Sequence, residues 1–347
     1  MNFFGGIMNV NRISVRKYKT SVDLDFPGLT FRYFQDETDY QEIVRVFNAC
    51  KEIDGEDTSL TLEDIAHQYE HLERCDLDKD MIFIEVNEEV IGYARVGWYP
   101  EDSGDRIYYS LGWILPVWRR KGIGTAVLHF CENRLREIAA DHPEECTKFF
   151  QAGHSDQQEG LIHLLEENGY RGTRWFYEMT RPIEDPLPEV SLPAGLEVRP
   201  VPEDRYRDVF EAQNEAFRDH WGHVEATETD YRRFLSEPTF DPGLWKVAWD
   251  GEEVAGMVLN FLNAKENQEF QRKRGYTENI SVRRPYRRQG LARYLLIQSI
   301  QMFRDMGMEE TALGVDAQNP NQALSLYEGV GYQVVKKFTT RRKRLDV

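Results

Sequence analysis

The sequence predicts an α/β (α+β) protein built as two tandem, related domains, each a mixed central sheet flanked by helices. Three observations carry that reading. Arg119-Arg120-Lys121-Gly122-Ile123-Gly124 recurs as Arg287-Arg288-Gln289-Gly290-Leu291-Ala292, each time between an apolar strand-like run and an apolar helix-periodic run. A length of 347 residues accommodates about two domains of roughly 150 residues. A proline-rich stretch separates the two copies.

Residues 1–28 show no clear period and read as an N-terminal extension. Thr30 to Phe34 alternates like a strand, and Asp39 to Cys50 has helical spacing. Met81 to Val86 and Val90 to Trp98 flank Asn87-Glu88-Glu89 as a hairpin, followed by a strand ending near Ile114, the first glycine loop, and a helix to about Ala139. The second half repeats that order. Leu196 to Pro200 is strand-like, Glu203 to Phe217 helical, and Leu244–Trp249 with Val254–Asn260 forms a second hairpin. A strand ending at Val282 enters the second loop, and a helix runs to about Met306. Between the halves, Pro182, Pro186, Pro188 and Pro193 deny helix and central-strand pairing. The expected organisation is therefore an N-terminal domain over 29–180, a linker over 181–195 and a C-terminal domain over 196–347.

A net charge of −17 disfavours nucleic acid as a partner, and no apolar run approaches the roughly 20 residues that span a bilayer. The four cysteines, Cys50, Cys75, Cys131 and Cys146, form no C-x-x-C pair and read as reduced thiols, so no metal site is expected from them. A short N-terminal run without signal-peptide flanks points to the cytoplasm. Oligomeric state is open between monomer and homodimer.

A strand, a basic glycine loop and a helix together form an anion cradle, because backbone N–H groups converge at the helix N-terminus. The two loops fit R/Q-x-x-G-x-G/A, and on those residues the chain resembles the GCN5-related N-acetyltransferases (GNAT), similar in layout to tandem members such as the mycothiol synthases. The resemblance implies two acyl-CoA N-acyltransferase folds with splayed sheets, and acetyl-coenzyme A as co-substrate. It assigns coenzyme contacts to Ile114 and residues 119–124 in the first half, and to Val282, residues 287–292 and Asn319 in the second. Asn319…Ala323-Leu324-Ser325-Leu326-Tyr327-Glu328…Gly331-Tyr332 matches a second family element, with Tyr332 where Phe is usual.

Aligning Gly169-Tyr170 with Gly331-Tyr332 places Leu165 opposite Tyr327 and Gln157 opposite Asn319, and aligning the two glycine loops without gaps places Ser110 opposite Glu278. The first half thus keeps the cradle without phenol or carboxylate, and is expected to be catalytically silent. In the second half the resemblance implies direct transfer in a ternary complex. Glu278 would act as base and Tyr327 as acid, and a backbone N–H near Val282 would polarise the thioester. Strand alternation puts Glu278 and Val282 on one face. The expected acceptor is the primary amine of a small molecule. A coenzyme-binding regulatory protein and a longer-acyl or aminoacyl transferase are the alternatives. His220 and His223 read as loop histidines or as substrate contacts, His67 and His71 as a helical pair without a third metal ligand, and Arg341 to Arg344 as a solvated end.

Overall fold

The computed structural model describes residues 12–14 and 26–346. Most of the expected N-terminal extension, residues 1–28, therefore lies outside the described residues. The first half runs β1 (Arg12–Ser14), β2 (Leu29–Tyr33), α1 (Tyr40–Asp54), α2 (Leu62–Glu70), α3 (Leu77–Asp80), β3 (Met81–Val86), β4 (Glu89–Pro100) and β5 (Arg106–Ile114). It continues with α4 (Ile123–Ala140), β6 (Lys148–Ser155), α5 (Glu159–Glu167) and β7 (Arg171–Pro182). The second half runs β8 (Glu197–Val198), α6 (Tyr206–Phe217), α7 (Glu228–Ser236), β9 (Lys246–Asp250), β10 (Glu253–Phe261), α8 (Ala264–Glu269) and β11 (Arg274–Val282). Then come α9 (Leu291–Asp305), β12 (Glu310–Asp316), α10 (Ala323–Glu328) and β13 (Gln333–Arg344).

Local chemistry sets these boundaries. Thr61 and Thr227 close capping boxes with Asp64 and Asp230, which start α2 and α7. Gly55 adopts φ 64° directly after α1 and stops it. On α9 the buried positions Leu291, Leu295, Leu296, Ile300 and Phe303, spaced by four, one, four and three residues, fall on one helical face. Each such side chain contributes about 1.5–3 kcal/mol by leaving water, which fixes that helix against the sheet.

Each half builds an antiparallel meander, β2 to β5 and β8 to β11, followed by one parallel partner. That parallel pairing is brief. β5 meets β6 only over Arg106–Tyr109, and β11 meets β12 only over Arg274–Tyr276, after which the strands part. The halves are then stitched together by their last strands. β7 pairs with β12 over Phe176 to Pro182, β13 pairs with β6 over Phe338 to Arg344, and β7 and β13 pair with each other. One sheet results, 13-stranded among the described residues.

This exchange explains two departures from the sequence reading. Arg181 and Pro182 lie inside β7 rather than in a linker, and the Arg181 guanidinium, fully buried, donates to the carbonyls of Val330, Pro182, Asp185 and Pro186. Nor is Arg341 to Lys343 a solvated end, although Arg344 is exposed. Arg342 is buried and paired with Glu101, while Lys343 donates to Glu132 at 2.8 Å and Arg341 to Glu166 at 2.9 Å.

An ionic cluster ties the α1–α2 connection to the second half. Asp57 accepts from Lys336 at 3.0 Å and Arg272 at 2.6 Å, and Arg274 reaches Asp57, Glu178 and Glu310. Burial alone would push the Asp57 carboxyl up, but Arg272 and Lys336 hold it down at about 2. A depressed carboxyl stabilises the fold above its unfolded value, and that contribution disappears as pH falls from about 4 through about 2. Asp57→Asn should therefore cost about 1–2 kcal/mol at pH 7, allowing for its exposed edge. Denaturant melts at pH 7 and pH 2 should show the deficit shrinking at the acid end. An equal deficit at both would contradict the cluster's role.

Candidate active site

The second glycine loop joins β11 to α9. Arg288 takes φ 64° and Gly290 φ 89°, and in the first loop Arg120 takes φ 60° and Gly122 φ 81°. The two loops thus share one backbone shape. The first α9 N–H with a partner inside the helix register is that of Tyr294, which donates to Gly290 O at 3.0 Å. Those of Leu291, Ala292 and Arg293 have no intrahelical acceptor. Gly290, Leu291, Ala292 and Arg293 line a cavity of about 930 Å³. A Cβ placed on Gly290 would meet nothing within 4 Å, so the loop faces open space of the kind a diphosphate needs. Gln289 is outside the lining, and its amide donates to Pro285 O at 3.1 Å.

Arg287 and Arg119, the first residues of the two motifs, hold protein rather than open space. Arg287 Nε donates to Val282 O at 2.9 Å, and its other nitrogens reach Asp219 at 2.6 Å and Ala216 O at 3.0 Å. Arg119 repeats this with Ile114 O at 2.8 Å and both oxygens of Asp54 at 2.5 and 2.8 Å. Each arginine joins the end of a strand to the C-terminal end of the preceding long helix. Charged hydrogen bonds of this forked kind are geometrically exacting. What the arginine offers a ligand is therefore the shape of the loop.

Glu278 and Val282 do not share a face. Val282 pairs with Gly256, Ser281 with Met257 and Glu278 with Leu259, so β11 carries one extra residue, a bulge at Asn279 (φ 49°) and Ile280. The bulge inverts the alternation. Val282 falls on the face of Val258, which packs with Leu291 and Leu295 of α9. Glu278 falls on the face of Leu259, which packs with Val209 and Ala212 of α6. β5 has no such shift, so Arg95 pairs with Leu111 as Leu259 pairs with Glu278. The first-half counterpart of Glu278 is thus Leu111, and the gapless pairing with Ser110 is one residue out. The absence of a carboxylate there stands.

Glu278 opens onto the cavity and accepts from Gly314 N at 2.8 Å across the gap between β11 and β12. Crowding by protein pushes its carboxyl up to about 7; the Gly314 hydrogen bond opposes this, and the nearby Glu178 charge adds to it. Tyr327 of α10 is buried yet lines the same cavity. Burial, and secondarily the Glu278 charge, push its phenol up, so it keeps its proton. Tyr332 lies beneath it, ring centroids 6.3 Å apart. Its hydroxyl bonds Thr277 at 2.9 Å and Thr311 at 2.8 Å, spanning β11 and β12 where they separate. A phenylalanine could not make that tie.

Asn319 and His220 close one end of the cavity, with Asn319 Nδ2 3.4 Å from His220 Nε2. Burial lowers the imidazole's pKa, so a neutral ring accepts. His220 is a cavity residue rather than a bystander. His223 instead sits 3.5 Å from Glu225 and 3.6 Å from Asp102. His71 Nδ1 lies 2.9 Å from the His67 carbonyl and His67 Nε2 3.0 Å from Ser236, so both rings of that helical pair are engaged.

In the first half side chains crowd the corresponding positions. Leu165 is buried in the core, and a Cβ on Gly124 would stand 3.4 Å from Leu164 Cδ2, which covers the start of α4. Gln157 lies over Gly55, so close that a Cβ there would be 1.5 Å from its amide oxygen. The first half nevertheless contributes to the cavity of the second. Phe176, Tyr177 and Glu178 of β7, with Asp57 and Thr58, line it. No local pattern marks those residues, because an exchanged strand puts them there.

A sequence profile described as the acetyltransferase (GNAT) family matches residues 40–170 and 206–332. The chain is 28% identical over 257 residues to a mycothiol acetyltransferase of Geodermatophilus obscurus, covering 73% of this chain and 79% of that one. It is 30% identical over 249 residues to a mycothiol acetyltransferase of Thermobispora bispora, covering 71% and 77%. Among solved structures, a GCN5-related N-acetyltransferase from Sphaerobacter thermophilus superposes with TM-score 0.68 at 26% identity, over 92% of this chain and 98% of that one. A tandem GNAT protein from the clavulanic acid biosynthesis pathway superposes with TM-score 0.65 at 14% identity, over 91% and 98%, a likeness of fold alone.

The paired arginines separate loop shape from fold. Arg287→Gln should weaken acetyl-coenzyme A binding about tenfold, the scale of one charged hydrogen bond. Arg119→Gln should leave that affinity within about twofold, as a distant site, while destabilising the protein by about 2 kcal/mol through the unpaired Asp54. Isothermal titration and thermal melts of both variants check this.

Proposed function

Because the chain belongs to the acetyltransferase (GNAT) family and is an N-acetyltransferase using acetyl-coenzyme A, we propose that its C-terminal half acetylates the primary amine of a small molecule by direct attack within a ternary complex. The observation that carries this is the meeting of Glu278, Tyr327 and the Gly290 loop around one cavity. When bound, acetyl-coenzyme A supplies an activated acetyl thioester. Gly290, Leu291 and Ala292 would hold its diphosphate with backbone N–H groups, and Asn319 would contact its arm. The unpaired edge of β11 from Thr277 to Val282 would hydrogen-bond the pantetheine and polarise the carbonyl.

Glu278 takes the proton from the acceptor ammonium, directly or through water. A carboxyl near 7 is matched to that task, since a base works best with a pKa close to ambient pH. Tyr327, kept protonated, hands its proton to the departing sulfur. The N-terminal half would serve as a silent partner, contributing β7 and the Asp57 cluster to the site. In this reading a domain from residue 29 to the end of β7 at Pro182 and a domain over 196–347 are joined by 183–195. The enzyme works in the cytoplasm, as monomer or homodimer, away from nucleic acid, to which its net charge of −17 is unsuited. The acceptor is a small amine, a reading supported by relatives named mycothiol acetyltransferases.

Two outcomes are expected from steady-state kinetics. Tyr327→Phe, which keeps the buried ring, should cut kcat by about ten- to a thousandfold with coenzyme affinity unchanged; an unaltered kcat removes the acid role. The wild-type kcat/KM should rise with pH through about 7, because Glu278 must be deprotonated to act. Glu278→Gln should lose that limb along with about a hundredfold in rate.

A further inference from the structure

A second cavity, of about 850 Å³, lies between the halves and shares Asn279, the bulged residue beside Glu278, with the coenzyme cavity. Arg95 of β4 and Leu259 of β10 both line it. These two occupy corresponding positions, opposite Leu111 and Glu278 respectively. Where the second half has an apolar residue, the first therefore has a cation.

The Arg95 residue is only 3% exposed, and its Nε and one terminal nitrogen are sealed from solvent without a hydrogen-bond partner. Its guanidinium lies over the Tyr69 ring, 5.2 Å from the centroid. Its remaining neighbours are the Tyr109 phenol and the Cys75 thiol, which burial keeps protonated along with Tyr69. Carboxylates at the cavity are engaged elsewhere. Asp230 accepts from Thr227 and Arg233 at 2.8 Å each, Glu73 from Thr227 at 3.2 Å, and Glu237 faces His67. Among the described residues, no carboxylate pairs with Arg95. A buried cation without a counter-charge is destabilising, so the position is better accounted for by a ligand than by the fold. Gln213 Oε1, also at this cavity and unpartnered, adds an acceptor for a ligand hydroxyl or N–H.

We propose that this cavity is the acceptor site, and that Arg95 selects small amines carrying an anionic group, a carboxylate or phosphate, at the end remote from the amine. The inference rests on the acetyl-transfer reading for the position of the amine near Glu278, and on the cavity alone for the anion. Arg95 is here a specificity residue, with no part in the proton transfers.

The test uses matched probes: 4-aminobutyrate against 4-aminobutyramide, glutamate against glutamine, and glucosamine 6-phosphate against glucosamine. Each is titrated calorimetrically onto the coenzyme A-saturated full-length protein, then assayed for thiol release with acetyl-coenzyme A. The expected result is that at least one anionic member binds tenfold or more tightly than its neutral partner, the carboxylate and phosphate arms showing which anion fits. Arg95→Lys should keep that preference. Arg95→Met should abolish it through KM, with the KM for acetyl-coenzyme A unchanged, and should melt at or above the wild-type temperature, since an uncompensated buried charge has gone. Neutral members binding as well as anionic ones, no binding by any probe, an unchanged preference in Arg95→Met, or a lower melting temperature in that variant would each overturn the proposal. Probe binding without thiol release would instead count against acetyl transfer while leaving the Arg95 site supported.

Discussion

The site exists because β11 and β12 stop pairing after Tyr276 and Ala312. Two parallel strands that separate leave facing backbone groups in need of partners. The gap is not left to collapse. β7 and β13, exchanged between the halves, hold β12 and β6 from the outside, so each strand stays in a sheet while its inner edge is released. Within the gap, the Glu278 carboxylate takes the Gly314 N–H, and the Tyr332 hydroxyl bridges Thr277 and Thr311 at its apex. The carboxylate thus performs a structural duty in the free protein at the place where the proposed reaction calls for a base.

The two halves differ in few features, and those are the ones on which the proposed division into an active and a silent copy rests. Both retain the glycine loop at the same backbone angles, and both retain the arginine that fastens it. They differ in one inserted residue on the fourth strand of the meander, which turns Glu278 toward the cleft, and in the small helix that follows the next strand, where Leu165 replaces Tyr327. Leucines 164 and 165 then pack into the first-half core, Leu164 close against Gly124 at the start of α4. Loop shape is a property of local φ angles and survives; an open cleft is a property of packing and is lost with a few apolar side chains.

Much of this was legible in the chain. The two hairpins, both loops and the long helices behind them carried clear periodicity, and all lie within a few residues of their expected ends. Tyr327, Asn319 and the Gly290 loop do face one cavity. What escaped the sequence was non-local. A bulge is invisible to alternation because one extra residue alters no composition, so Glu278 and Val282 looked coplanar. Strand exchange leaves no local trace, so Glu178 and Tyr177 of the first half could not be assigned to the cavity of the second. The same exchange turned Arg341, Arg342 and Lys343 from an expected solvated end into partners of Glu166, Glu101 and Glu132. Arg287 was legible as important, but its partner Asp219 lies 68 residues away and only folding brings them together.

The claim that the coenzyme occupies the C-terminal half alone is tested most directly by calorimetric titration with acetyl-coenzyme A. Wild type, Gly290→Glu and Gly122→Glu would be compared, each shown by its melt to be folded. A glutamate at either loop sets a negative charge where a diphosphate must sit. The account predicts a single site in wild type, retained in Gly122→Glu and abolished in Gly290→Glu. Two sites in wild type, or binding that survives in Gly290→Glu and disappears in Gly122→Glu, would contradict it.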